Sequence, residues 1–365
     1  MNSKWMYLIT AAALVAAFAS TGIVAADDDR GAVYTLTNSA AGNAVAIFSR
    51  ADDGRLTPSG SVSTGGLGSQ GALTLSADRR WLFAVNAGSN DVSVFAVSSG
   101  GLKLASREAS GGSDPISVAS YKDLVYVLNT GGSGNIAGFR LGEHGQLIPI
   151  SHSTRNLSNN GLGAAPGPAE ISFSSTGDAL AVTEKNTNLI DTFPIDRNGR
   201  PGAITTHASA GATPFGFAFA RHGALIVSEA AGGAPNASSA SSYRVSEHGF
   251  ALISAAVPTE QTAACWLVTT DNGRFAYTAN AGSGSLSLYA VGGDDALTLL
   301  KSVAGFTGAT SHPSDMALSQ GHQFLYVLAN NTQSIDVFAV LGDGSLTPLG
   351  GNGGLPASAV GLAAR

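Results

Sequence analysis

Tyr126-Val127-Leu128-Asn129, a Gly/Ser-rich turn, and then an alternating run from Asn135 to Phe139 form the stretch on which the reading of this chain turns. An apolar, β-branched run that stops at Asn and resumes after a glycine turn is the pattern of two antiparallel strands. The same line recurs. It reads from Tyr34 to Asn38 and on to Phe48, from Phe83 to Asn86 and Phe95, and from Ala181 to Glu184 and Phe193. Further copies run from Ile226 to Glu229 and Tyr243, from Tyr277 to Asn280 and Tyr289, and from Tyr326 to Ala329 and Phe338.

The copies begin at 34, 83, 126, 181, 226, 277 and 326, so their spacings are 49, 43, 55, 45, 51 and 49 residues. A period of that length suits one four-stranded unit of a radial repeat. A further short strand follows each aromatic-ended run, as at Gln146-Leu147-Ile148. Another precedes each copy and often opens on proline, as at Pro115, Pro168, Pro214 and Pro313. The last copy of this leading strand, Pro356 to Ala359, has no repeat of its own to lead and is expected to pair with the first repeat. Such closure removes the open sheet edges. The fold expected is therefore all-β, a seven-bladed β-propeller whose ring is closed by the C-terminal strand pairing with the N-terminal blade. The chain holds 47 glycines and shows little helical periodicity, which favours this reading over a helical solenoid.

Working outward, residues 1–26 read as a signal peptide. Lys4 precedes an apolar stretch from Leu8 to Val24, small residues at Val24-Ala25-Ala26 suit cleavage, and Asp27-Asp28-Asp29 follow. Residues 27–365 then form a single propeller domain, periplasmic or secreted, with no membrane span after cleavage. The net charge of −6 at pH 7, with no basic stripe, gives nothing to neutralise phosphates along a nucleic acid. Cys265 is the only cysteine, so no intramolecular disulfide forms. No feature demands a second copy, and the protein is expected to be a monomer.

The start of each leading strand and the end of the strand after it lie at one end of the ring. Aligning the repeats places Ser358, Ala72, Ser117, Glu170, Gly216, Cys265 and Asp315 near the start of the channel-lining strand. Asn38, Asn86, Asn129, Glu184, Glu229, Asn280 and Ala329 end the next strand. Asn is at home in a turn because it tolerates left-handed backbone angles, whereas Glu184 and Glu229 break the pattern in adjacent blades. Together with Glu170 and Asp315 they are expected to form an acidic cluster at one mouth of the channel. Glu184 and Glu170 are the candidate catalytic groups. Glu229, Asp315, Asn280, Cys265 and His312 are the candidate substrate contacts. Close carboxylates can share acid and base work, or Glu170, Glu184 and Asp315 can hold a divalent cation, calcium or magnesium. The longer loops from Thr154 to Gly167, Ala230 to Ala240 and Gly305 to His312 reach the same end, where binding function commonly lies.

The repeats resemble the seven-bladed propeller lactonases, which include the propeller-type 6-phosphogluconolactonase and the carboxymuconate-lactonizing enzyme. The likeness spans the chain after the leader. It is carried by Tyr126-Val127-Leu128-Asn129, Gly167-Pro168-Ala169-Glu170-Ile171, Val182-Thr183-Glu184-Lys185-Asn186, Ala212 to Phe219 and Thr262 to Trp266. The last two stretches look nearer to a bacterial branch of that family. The resemblance implies a hydrolase that opens a sugar-type or muconate-type lactone, or a cycloisomerase that forms one. In the family the segment matching Gly167 to Glu170 reads Gly-Pro-Arg-His, with functional Arg and His, and a functional Glu matches Glu184. Here Ala169 and Glu170 stand where the Arg and His would be. That departure keeps open a second reading, an extracytoplasmic binding module for a glycan, a peptide or a partner protein.

Overall fold

The structure, a computed structural model, describes residues 31–39, 42–64, 72–246 and 249–365; the proposed leader lies outside them. Seven antiparallel sheets make up this part of the chain, six of four strands and one with an added fifth, and no α-helix occurs among the described residues. The innermost strands are Val360–Ala364, Leu73–Leu75, Pro115–Tyr121, Pro168–Phe173, Pro214–Phe219, Ala264–Thr269 and Pro313–Leu318, belonging to blades one to seven in that order. Each touches the next, and the last touches the first, so they close a ring around an axial channel. The protein is a seven-bladed β-propeller.

Its closing strand is Val360–Ala364, which pairs Val33 with Ala364 and Leu36 with Val360. The segment from Pro356 to Ala359 is instead a turn, closed by the Ala359 amide donating to the Pro356 carbonyl at 2.9 Å. The ring thus closes as expected but with a different segment. Gly361, at φ 72°, forms a bulge in the closing strand. The first-blade counterpart of Asn129 is Thr37 and not Asn38, since Val33 pairs with Phe48 as Val125 pairs with Phe139. Likewise Gly361, not Ser358, stands at the channel position. A bulge costs one residue of register, and sequence alignment does not see it.

The second strands are buried from end to end, because each lies between its own blade's partners and the face of a neighbour. Ala224–Glu229, Phe275–Asn280 and Phe324–Ala329 are buried at every position. This explains their near-continuous apolar sequence, and each fully buried Phe or Leu there contributes roughly 1.5–3 kcal/mol. The recurrent tyrosine has a second task. Tyr126 donates from its hydroxyl to the Gly199 carbonyl at 2.7 Å, Tyr277 to Gly344 at 2.7 Å, and Tyr326 to Gly54 at 3.2 Å. Each glycine lies in an outer hairpin of the next blade, so the hydroxyls tie blades three to four, six to seven, and seven to one. A β-carbon on Gly344 would meet the Phe275 ring at 2.8 Å, and its φ of 81° also requires glycine.

The end of the ring that carries the start of the innermost strand is the upper face here. The turns from the innermost to the second strand lie on the lower face.

Candidate functional site

The residues ending the second strand point into the blades. Glu229 is fully buried and accepts four hydrogen bonds: from Ser209 Oγ at 3.1 Å, the Gly211 amide at 2.7 Å, Ser239 Oγ at 2.5 Å and Ser241 Oγ at 2.6 Å. Glu184, also fully buried, accepts from the Ser158 amide at 3.1 Å, Ser158 Oγ at 2.5 Å and Thr187 Oγ1 at 2.6 Å. A buried carboxylate is stable only when donors surround it, and these two are saturated. Asp191 lies against Glu184. Burial, and then the neighbouring carboxylate, push its carboxyl up to about 9, so Asp191 is the protonated member of the pair at neutral pH.

The Asn blades solve the same position with an amide. Asn280 Nδ2 donates to Ser285 Oγ and Ser287 Oγ, and its Oδ1 accepts from Thr278. In blade five Ser239 and Ser241, which match Ser285 and Ser287, turn their hydroxyls to donate to Glu229 instead of accepting, and in blade four the incoming loop supplies the donors. The long loop from Thr154 to Gly167 does this: Leu157 is buried against the blade core and Ser158 caps Glu184. Glu184, Glu229 and Asn280 are therefore sealed inside blades four, five and six, and they do not meet Glu170 and Asp315 in a cluster at the mouth.

Glu170 and Asp315 do come together around the axis. The innermost strands carry a bulge just after their first residue in blades three to seven, as they do at Gly361 in blade one. A bulge re-aims side chains, and here the two carboxyls line a cavity of about 460 Å³ along the axis. Among its lining residues they are the only ionisable ones; Ser117, Ser172, Thr74 and Trp266 share the wall. The lining continues to Ser175, Phe219, Thr269 and Leu318 at the lower ends of the strands, and none of the three long upper loops contributes to it.

Glu170 Oε2 accepts from the Phe217 amide, freed by the fifth-blade bulge, at 2.7 Å. Desolvation holds the Glu170 carboxyl well above its usual range; the Phe217 bond opposes this and the Asp315 charge adds to it. The side chain is half-buried, because part of it faces the cavity while the carboxyl sits deep within the ring. Asp315 is almost fully buried, and its Oδ1 accepts from the Met316 amide at 2.7 Å. Two carboxyls facing a shared cavity, one of them with its pKa raised by desolvation, can give and take a proton.

The remaining candidates fall elsewhere. Cys265 is half-buried but does not line the cavity, and desolvation pushes its thiol up to about 11, partly offset by Lys185, so it is no nucleophile at neutral pH. His312 is exposed in a left-handed turn, its carbonyl accepting from the Asn330 amide. No group of three or more His, Cys, Asp or Glu among the described residues is arranged to hold a metal. Glu184 cannot join Glu170 and Asp315 because it is enclosed within its blade. Lys185 was not singled out by the sequence: its ammonium lies 4.6 Å from the Phe215 ring centre, and burial lowers its pKa.

Fold and site together define a seven-bladed propeller with a carboxyl pair in its axial cavity. The model of the family described as lactonase, 7-bladed β-propeller matches residues 5–115. A candidate 6-phosphogluconolactonase from Bacteroides fragilis shares the fold at 19% identity and a TM-score of 0.72, over 93% of this chain and 98% of its own. The periplasmic gluconolactonase of Pseudomonas aeruginosa does so at 18% identity and 0.69, over 90% and 97%. No curated protein sequence matches the chain.

Proposed function

We propose that the protein hydrolyses a small lactone in its axial cavity, with Glu170 and Asp315 as the acid and base. The observation that carries this is the pairing of the two cavity-lining ionisable groups, one of them with its carboxyl pKa raised by desolvation. Ionised Asp315 takes a proton from water as the water oxygen bonds to the lactone carbonyl carbon. Glu170 gives its proton to the ring oxygen as the acyl–oxygen bond breaks, and the product is the hydroxy acid. Proton return from Asp315 to Glu170 through solvent resets the pair. The lactone is of the sugar or muconate type, and the names of two structural neighbours, a 6-phosphogluconolactonase and a gluconolactonase, favour the sugar type. We infer an exported protein from the leader-like residues 1–26, and no helix among the described residues is long and apolar enough to cross a membrane.

The test is a panel of sugar-acid and muconate-type lactones assayed with the wild type, Glu170→Gln and Asp315→Asn. Turnover of one panel member that both variants lose supports the reading; a panel with no turnover, or full activity in Glu170→Gln, overturns it. The bond from the Phe217 amide to Glu170 favours a second reading, in which Glu170 is a staple between blades and the propeller binds without catalysis.

A further inference from the structure

We propose that the lower face carries an oxyanion site centred on Arg79, built to take a phosphate group, free or as a phosphomonoester. Arg79 closes the turn between the first and second strands of blade two, its amide donating to the Ser76 carbonyl at 2.8 Å. Its φ is 57°, a left-handed angle that a long side chain adopts at a cost. Blades four, five and six fill the equivalent place with Gly177, Gly223 and Gly273, at φ 73°, 90° and 69°. Blade seven holds His322 at φ 45° in that place and blade three has Lys122 at 53° in its turn, so blade two shares the left-handed angle with them and differs in presenting a guanidinium there.

The arginine is not alone. Arg79, Arg80 and Arg365 line one cavity of about 520 Å³, with Asp78, Ser98, Ser99 and Gln320. Arg79 also lines a second cavity of about 310 Å³, which shares Leu73, Thr74 and Leu362 with the wall of the axial cavity. Arg50 lies close enough to add its charge: burial lowers the Arg79 pKa most, and Arg365 and Arg50 lower it further, against the pull of Asp271.

Among the described residues no carboxylate lies within ion-pair distance of Arg79, Arg50 or Arg365. Asp78 is taken by Arg80 at 2.6 Å; Asp271, whose amide donates to His322 Nδ1 at 3.3 Å, acts on Arg79 only from beyond ion-pair distance. Arg79 Nη1 and Arg50 Nε are buried nitrogens with no hydrogen-bond partner. Buried donors ordinarily find acceptors. Clustered guanidinium groups with unspent donors beside an open space match an anion with several oxygens, and the planar fork suits phosphate in particular.

The full chain is to be titrated with sodium phosphate and with phenyl phosphate, against sodium chloride at equal ionic strength, by calorimetry and thermal unfolding. Either phosphate should bind and raise the Tm beyond the chloride control; tighter phenyl phosphate identifies a phosphomonoester ligand, and tighter inorganic phosphate identifies the free ion. Arg79→Gly should weaken binding at least tenfold while its unliganded Tm equals or exceeds that of the wild type, since glycine is the residue other blades use at this turn. Arg365→Gln should weaken it less. Phosphate that does no more than chloride, or an Arg79→Gly protein that binds like the wild type, overturns the site.

Discussion

Blade four contains two glutamates fourteen residues apart in sequence, Glu170 and Glu184, and the contrast between them is the main lesson of the molecule. Glu184 ends a strand enclosed on all sides, and three donors saturate its oxygens. Glu170 sits on a bulge of the channel-lining strand, accepts one backbone bond, and faces a cavity with Asp315. The first carboxylate is spent on structure. The second faces a cavity with room for a ligand.

The largest expected effect lies at the axis. Glu170→Gln should lower lactone turnover by about 10²–10⁴-fold, the usual worth of a general acid, with Tm held or raised. Glu229→Ala should do the reverse. It strips the acceptor from three hydroxyls and an amide, and should cost about 3–5 kcal/mol in urea unfolding, in the range for breaking a buried charged network. Wild-type stability with that change would undo the claim that the blade glutamates are structural.

The pH dependence of stability sharpens the comparison further. Glu170 has a raised carboxyl pKa in the folded state, so its contribution is fully present below the ordinary carboxylate pKa near 4.5 and is lost as pH rises toward the raised value. Asp191, at about 9 when folded, adds the same sign from about pH 4 to 9. The slope from each group is at most about 1.4 kcal/mol per pH unit. Urea midpoints measured from pH 5 to 9 should therefore fall less steeply in Glu170→Gln and in Asp191→Asn than in the wild type. A smaller effect, about 1–3 kcal/mol, is expected for Gly344→Ala, which adds a methyl group against Phe275 at a left-handed angle and strains the tie to Tyr277.

How far the sequence carried the account differs between fold and site. Seven copies of one strand pair were visible because burial on both sides demands continuous apolar runs, and the closing strand followed from counting. Its exact residues did not, since Gly361 shifts the register by a bulge that has no marker beyond a glycine in a glycine-rich chain. The glutamates at 184 and 229 stood out as departures from Asn, yet what makes them departures is the convergence of Ser158, Ser209, Gly211, Ser239 and Ser241, which come from distant loops and neighbouring strands. Glu170 and Asp315 share a wall because equivalent strands of blades four and seven face one axis. The charge on Arg79 had a faint signal, an arginine at a turn position that three other repeats give to glycine.

The account's central claim is that the axial carboxyl works while the blade carboxyl only holds. Its most direct test is kcat for Glu170→Gln and Glu184→Gln on one lactone, each normalised to the folded fraction measured by circular dichroism in the same sample. The account predicts a loss of at least a hundredfold for Glu170→Gln and less than about threefold, per folded molecule, for Glu184→Gln. Equal losses, or a larger one at Glu184, would contradict it.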